Sequence, residues 1–97
     1  MFGKKPPSGE LDVPPIASEA ESVEVLREWV SPGEAQQVSL QVTWKDPGAW
    51  GLMLADVARH AANAYGDRGH EPAEALDRIK DLLLAELSNP TDEPQET

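Results

Sequence analysis

The sequence predicts an α+β domain, an antiparallel β-hairpin followed by two α-helices, held between two segments that do not fold. Three observations predict it: a strictly alternating run over residues 37–44, a Pro-Gly turn immediately before it, and two later stretches whose apolar residues recur at helical spacing behind an acidic residue and a proline. At 97 residues the chain has room for one core.

Residues 1–22 hold Pro6, Pro7, Pro14 and Pro15 among Ser, Glu and Ala, with only Leu11, Val13 and Ile16 as aliphatic groups past the start. So little apolar surface does not offset the entropy of ordering a chain. The segment is expected to be disordered or extended, with Leu11 to Ile16 docking if any part does. The domain is expected over 23–88, and 89–97, which has no aliphatic or aromatic side chain, as a solvated tail.

Within the domain, Val38, Leu40, Val42 and Trp44 fall on one face of a strand and Gln37, Ser39, Gln41 and Thr43 on the other. Val23 to Val30 alternates less cleanly, with Val25, Arg27 and Trp29 on one side and Glu24, Leu26, Glu28 and Val30 on the other. A four-residue loop, Pro32 to Ala35, would set Trp29 opposite Val38, Arg27 opposite Leu40 and Val25 opposite Val42. That register turns Leu26 and Val30 outward.

Asp46-Pro47 reads as a helix start, because the carboxylate accepts bonds from first-turn amides and proline at the first helical position loses no needed donor. Trp50, Met53, Leu54, Val57, Ala58, Ala61, Ala64 and Tyr65 then recur at helical spacing up to Gly66, a suitable stop. The second helix starts near Glu71-Pro72, carries Leu76, Ile79, Leu83 and Leu87 as its stripe and Glu74 with Arg78 as an i,i+4 pair, and ends near Ser88. The tryptophans Trp29, Trp44 and Trp50 are expected to cluster as core filling.

With these residues in view, Glu24-Val25-Leu26-Arg27-Glu28-Trp29-Val30, Val38-Ser39-Leu40, Asp46-Pro47-Gly48-Ala49-Trp50-Gly51 and Ala55-Asp56-Val57-Ala58-Arg59-His60 resemble a domain-of-unknown-function family of short, mainly α-proteobacterial proteins. In that family a Val-Pro-Pro segment like Val13-Pro14-Pro15 precedes the hairpin. The resemblance covers about residues 11 to 88 and implies a bacterial cytoplasmic origin. It implies no catalytic residue.

The formal charge of −10, spread along the chain, argues against binding a phosphate backbone or an anionic membrane. The longest apolar runs are far shorter than the roughly 20 residues of a membrane span. Met1-Phe2-Gly3-Lys4-Lys5 runs into Pro6-Pro7 rather than an apolar stretch and so does not read as a secretory signal. With no cysteine, disulfides and thiolate chemistry are excluded and a reducing, cytoplasmic compartment is the natural expectation.

Asp56 and His60 stand four apart on one helical face, the spacing for a shared metal or for a carboxylate orienting an imidazole. Arg59, and His70 with Asp67 in the following loop, could complete such a site. The plainer reading is solvated polar side chains with an Asp56–Arg59 ion pair, and the free amides at the first helix start are already served by Asp46. The sequence therefore favours a non-catalytic protein-binding or self-associating module without cofactor, a homodimer whose hairpins meet by edge or outer face through Leu26 and Val30, with Leu82 or Leu84 of the second helix at the contact. The alternatives are a small metal- or ligand-binding, enzyme-like domain using Asp56, Arg59 and His60, and an acidic nucleic-acid mimic that binds a basic protein.

Overall fold

A computed structural model describes residues 9–90 and the backbone of Gln95–Glu96. In chain order the elements are β1 (Leu26–Trp29), β2 (Gln37–Leu40), α1 (Gly48–Gly66), α2 (Pro72–Ser88) and β3 (Gln95–Glu96), with a short 3-10 turn at Pro15–Ser18 before them. The antiparallel hairpin followed by two helices is the expected α+β arrangement. β2 is the middle strand of the sheet, with β1 antiparallel on one edge and β3 parallel on the other.

The hairpin turns at Ser31-Pro32-Gly33-Glu34, where the Glu34 amide donates to the Ser31 carbonyl at 3.1 Å. Pro32 presets the second turn position and Gly33 takes φ 79°, the left-handed conformation that a type II turn demands at its third residue. The loop between the paired strands is longer than four residues, and the register differs by one from the expected one: Leu26 pairs with Leu40, Arg27 with Ser39, Glu28 with Val38 and Trp29 with Gln37. A one-residue slip moves every β2 side chain to the opposite face relative to β1. Leu26, Val38 and Leu40 therefore share one face and Arg27 and Trp29 the other.

β2 also stops short of the alternating run, at Leu40. The Gln41 amide makes one further bond to the Val25 carbonyl, and the Gln41 side chain then donates to the Glu24 carbonyl at 3.0 Å, taking the place of the next backbone donor. With the partner strand used up in this way, Val42 to Trp44 continue without pairing, and Val42 is exposed.

Pro47 already has helical dihedrals (φ −56°, ψ −23°), and the Gly48 amide donates to Asp46 Oδ1 at 2.8 Å, so Asp46 caps α1 as its sequence position implied. A side chain at Gly48 would crowd that carboxylate, its Cβ lying 3.1 Å from Oδ1. α1 ends at Gly66, the expected stop, and the left-handed residue of the turn that follows is Gly69, at φ 94°. The His70 amide reaches the Tyr65 carbonyl and the Gly69 amide the Gly66 carbonyl, both at 3.1 Å, the paired bonds of a Schellman motif with Gly69 at its left-handed position.

α2 starts at Pro72 after an extended Glu71 and lies against α1. Gly66 of α1 lies so close to Pro72 that an added Cβ would sit 2.7 Å from the proline Cγ; higher on the same face Ala62 is buried at 2% exposure and Ala58 half-buried. Ala75, Leu76 and Ile79 answer from α2, all half-buried. Among the described residues, no strand Cα comes within 8 Å of a helix Cα. Sheet and helix pair are thus two separate lobes.

Before the sheet, Glu10 forms an ion pair with Arg27, and the Trp29 ring lies beside Gly9, a Cβ there meeting Cζ3 at 3.5 Å. Leu11, Val13 and Ile16, the residues expected to dock, are exposed, and the Pro15–Ser18 turn is held by Ser18 and Ser22 hydroxyls donating to the Pro15 and Ile16 carbonyls. The expected solvated tail after Ser88, like the first eight residues, lies mostly outside the described residues.

Candidate functional site

Three places carry polar or apolar groups open to a ligand: the polar stripe of α1, the Arg27 side of the hairpin, and the flank of the helix pair around Tyr65. On the stripe, His60 Nε2 stands 3.5 Å from Asp56 Oδ2, with the side chains 77% and 71% exposed. At that distance and exposure water competes for both groups, and the contact is a weak helix-surface pair. Asp56 turns to His60, and no Asp56–Arg59 ion pair forms. His70 is not brought to this stripe. It follows the far end of α1, where its ring packs edge-on against Tyr65 with centroids 5.3 Å apart, the side-chain contact that accompanies a Schellman turn. Among the described residues no three His, Asp or Glu side chains gather as a metal site would require.

On the hairpin, Arg27 is strongly engaged. It donates to Glu10 and, through Nη2 at 3.0 Å, to Glu24, and these bonds, the one to Glu10 first, hold its pKa above the ordinary guanidinium range. An arginine whose donors are taken by two of its own carboxylates is a tether for the incoming chain rather than an anion receptor. This role was not visible in the sequence, since Glu10 lies 17 positions away with no pattern linking the two.

Two of the three tryptophans meet: Trp44 and Trp50 pack edge to face, centroids 5.6 Å apart. Trp29 does not join them. It belongs to the β1 face beside Gly9, because the sheet lobe does not reach the helices. The interface residues expected together likewise divide: Leu26 is half-buried across from Leu40, Val30 is exposed at the start of the hairpin loop, and Leu82 and Leu84 are on α2, in the other lobe. Leu82 and Leu84, two residues apart on a helix, face different directions.

The flank of the helix pair holds a cleft of about 380 Å³ with an apolar floor of Tyr65, Ala75, Ile79 and Leu82 and a rim of His70, Glu71, Glu74 and Arg78. The expected Glu74–Arg78 ion pair is not formed, although the two side chains border the same cleft. No helix among the described residues is long and apolar enough to cross a membrane.

With this geometry established, comparison with known proteins places the chain. A family model, the domain of unknown function DUF5076, matches residues 10–91. The chain belongs to that family. Among solved structures it is similar to a protein of the photosynthetic bacterium Rhodopseudomonas palustris, described as a proposed pyruvate dehydrogenase, with 37% identity, a TM-score of 0.72, and coverage of 98% of this chain and 95% of that one. No curated protein matches it. The DUF5076 match takes in the hairpin and both helices, along with Glu10 and the Pro15–Ser18 turn, so the segment before the hairpin belongs to the family unit.

Proposed function

We propose that this DUF5076 protein is a small, acidic, non-catalytic module of a bacterial cytoplasm that works by binding another polypeptide chain. One observation carries the reading: among the described residues the only buried hydrophobic side chain is a methyl group, that of Ala62, while sixteen larger apolar side chains are exposed. A domain of this size needs nearly all its apolar surface to balance the entropy of folding. Two lobes that do not pack on each other leave most of it in water, and a partner surface supplies the missing burial.

A second reading has one observation in its favour, the His60–Asp56 contact, which would serve a small metal- or ligand-binding domain and would sit with the enzyme name given to the R. palustris neighbour. Its weakness is exposure. Neither group is desolvated, so neither is held or tuned as a reacting group has to be.

The two readings separate in a thermal melt of the purified chain. Binding of another chain predicts a melting temperature that rises with protein concentration or with an added partner, and no response to zinc, manganese or magnesium. A concentration-independent melt that shifts upward with one of those metals would overturn the binding reading in favour of the second.

A further inference from the structure

We infer that the partner is a second copy of this chain, and that the two meet through the flank of the helix pair rather than through the hairpins, their four helices enclosing one core about a twofold axis. The inference rests on the binding reading and adds to it the occupant and the surface. On α1, Leu54, Val57 and Tyr65 are 43%, 51% and 50% exposed, and on α2 Leu82 is 50% exposed beside the half-buried Ile79. These positions recur at three- and four-residue spacing and lie to one side of the Ala58–Ala62 seam, so they extend that seam as one apolar surface. At 19 and 17 residues the helices are about 28 and 25 Å long, sufficient for a four-helix bundle.

Area favours a partner of this kind. The chain exposes 8699 Å², against about 5,400 Å² for a compact protein of its mass. Among the described residues sixteen large apolar side chains are exposed, and Leu54, Val57, Tyr65 and Leu82 of this flank are four of them.

Charge favours a copy over a different protein. The rim of the cleft carries both signs on one patch, Glu71 and Glu74 beside Arg78, without joining Glu74 to Arg78. A twofold axis sets a patch against itself, so Arg78 of each copy meets acidic groups of the other and the arrangement is self-complementary. The hairpin offers less. Leu26 is already half-covered across from Leu40, and one edge of β2 is taken by β3, leaving β1 as the long free edge.

The chain has no cysteine, so single cysteines report contacts without background. Leu82→Cys, Val57→Cys, Leu84→Cys and Val30→Cys are each treated with a short bis-maleimide, alongside light scattering of the unmodified protein. The expected result is a dimer by scattering, with cross-linking at Leu82→Cys or Val57→Cys at least several-fold above that at Leu84→Cys and Val30→Cys. Cross-linking chiefly at Val30→Cys would overturn the inference in favour of hairpin association. A second arm spares the core: Glu74→Arg and Arg78→Glu should each weaken self-association, and mixing the two variants should restore a mixed dimer. Absence of that rescue in two folded variants counts against the patch. A chain that stays monomeric at high concentration overturns the inference outright; if its melting temperature still rises with an added partner protein the binding reading survives, and if it melts at one high temperature whatever is added both fall.

Discussion

Gly51 and Gly66 lie on one helix, and replacing each by alanine should move stability in opposite directions. Both substitutions relieve the entropic cost of glycine in a helix, about 0.5 to 1 kcal/mol. At Gly51 nothing lies within 4 Å of the new Cβ, and the full gain is expected. At Gly66 the Cβ would sit 2.7 Å from Pro72 Cγ and 3.5 Å from Cδ. Ordinary carbon contacts begin at about 3.5 Å, so an overlap near 0.8 Å must be relieved by moving α2 away from α1, and overpacking of that kind costs roughly 1 to 3 kcal/mol. The net expectation is a loss of about 1 kcal/mol for Gly66→Ala against a gain of about 1 kcal/mol for Gly51→Ala, each worth roughly 4 to 8 °C in a domain of this size. Urea and thermal unfolding at one fixed protein concentration measure both, the concentration being held because association shifts the melt. A further check isolates the cause: in a Pro72→Ala background, which removes the ring carbons, the Gly66→Ala penalty should vanish. If Gly66→Ala stabilises the protein as much as Gly51→Ala does, the close approach of the two helices at this turn is wrong.

Asp46→Ala should cost about 1 kcal/mol by leaving the first-turn amides of α1 uncapped, with Asp46→Asn close to neutral, measured by urea titration. Gly69→Ala should cost about 1 kcal/mol, because φ 94° is strained for any residue with a Cβ, whereas His70→Ala should cost less than that, its ring covering only an exposed Tyr65. Asp56→Asn and His60→Ala should leave stability within about 0.5 kcal/mol of the parent, and a loss of several kcal/mol from either would contradict the surface placement of that pair. Arg27→Met should release the segment around Glu10, seen as faster hydrogen exchange there. Because the Arg27 shift is upward, its contribution is complete throughout the neutral range and is lost only as strongly alkaline pH rises through the raised value, so that exchange should not respond to Arg27 titration between pH 6 and 9.

The helices were legible because their signals are local. Asp46-Pro47 and Glu71-Pro72 mark both starts, and the apolar stripes are long enough to fix period and face. α1 ends at Gly66, as its composition implied; which of the two glycines three apart takes the left-handed position was not legible, and the hydrogen bonds of Gly69 and His70 show that it is Gly69. The strand register was not legible for a related reason. Val25 and Trp29 on one side of β1 and Leu26 and Val30 on the other give no single apolar face to align, so loop length had to decide, and the loop proved longer than the turn it contains. Alternation also outran the strand, since Val42 and Trp44 keep the period while the partner chain has ended. The Glu10–Arg27 ion pair rests on a contact far along the chain between residue types that abound in an acidic sequence, and no local pattern reports it.

The distance between sheet and helices bears on what kind of stability the chain can have. A hairpin with one half-covered apolar face is marginal in water, and so is a helix pair whose seam is mostly alanine, because close approach of small side chains removes little area from water for each residue ordered. Were the lobes packed on each other, Leu26, Val38 and Leu40 could cover Leu82 and Tyr65 and the chain could stand alone; instead Leu40, Tyr65 and Leu82 are about half exposed. On the proposed binding reading the missing burial comes from another chain, and folding and association then form a single equilibrium. The formal charge of −10 acts against that equilibrium when two copies meet. On the proposed interface Glu71 and Glu74 border the flank beside Arg78, which offsets part of that repulsion, while Asp56 lies on the polar stripe of α1, and physiological salt screens charges more than a Debye length apart. The pattern that obscured a core in the sequence, apolar residues on both sides of β1 and along a broad arc of each helix, is the pattern that the proposed reading requires, in which part of the core belongs to a partner.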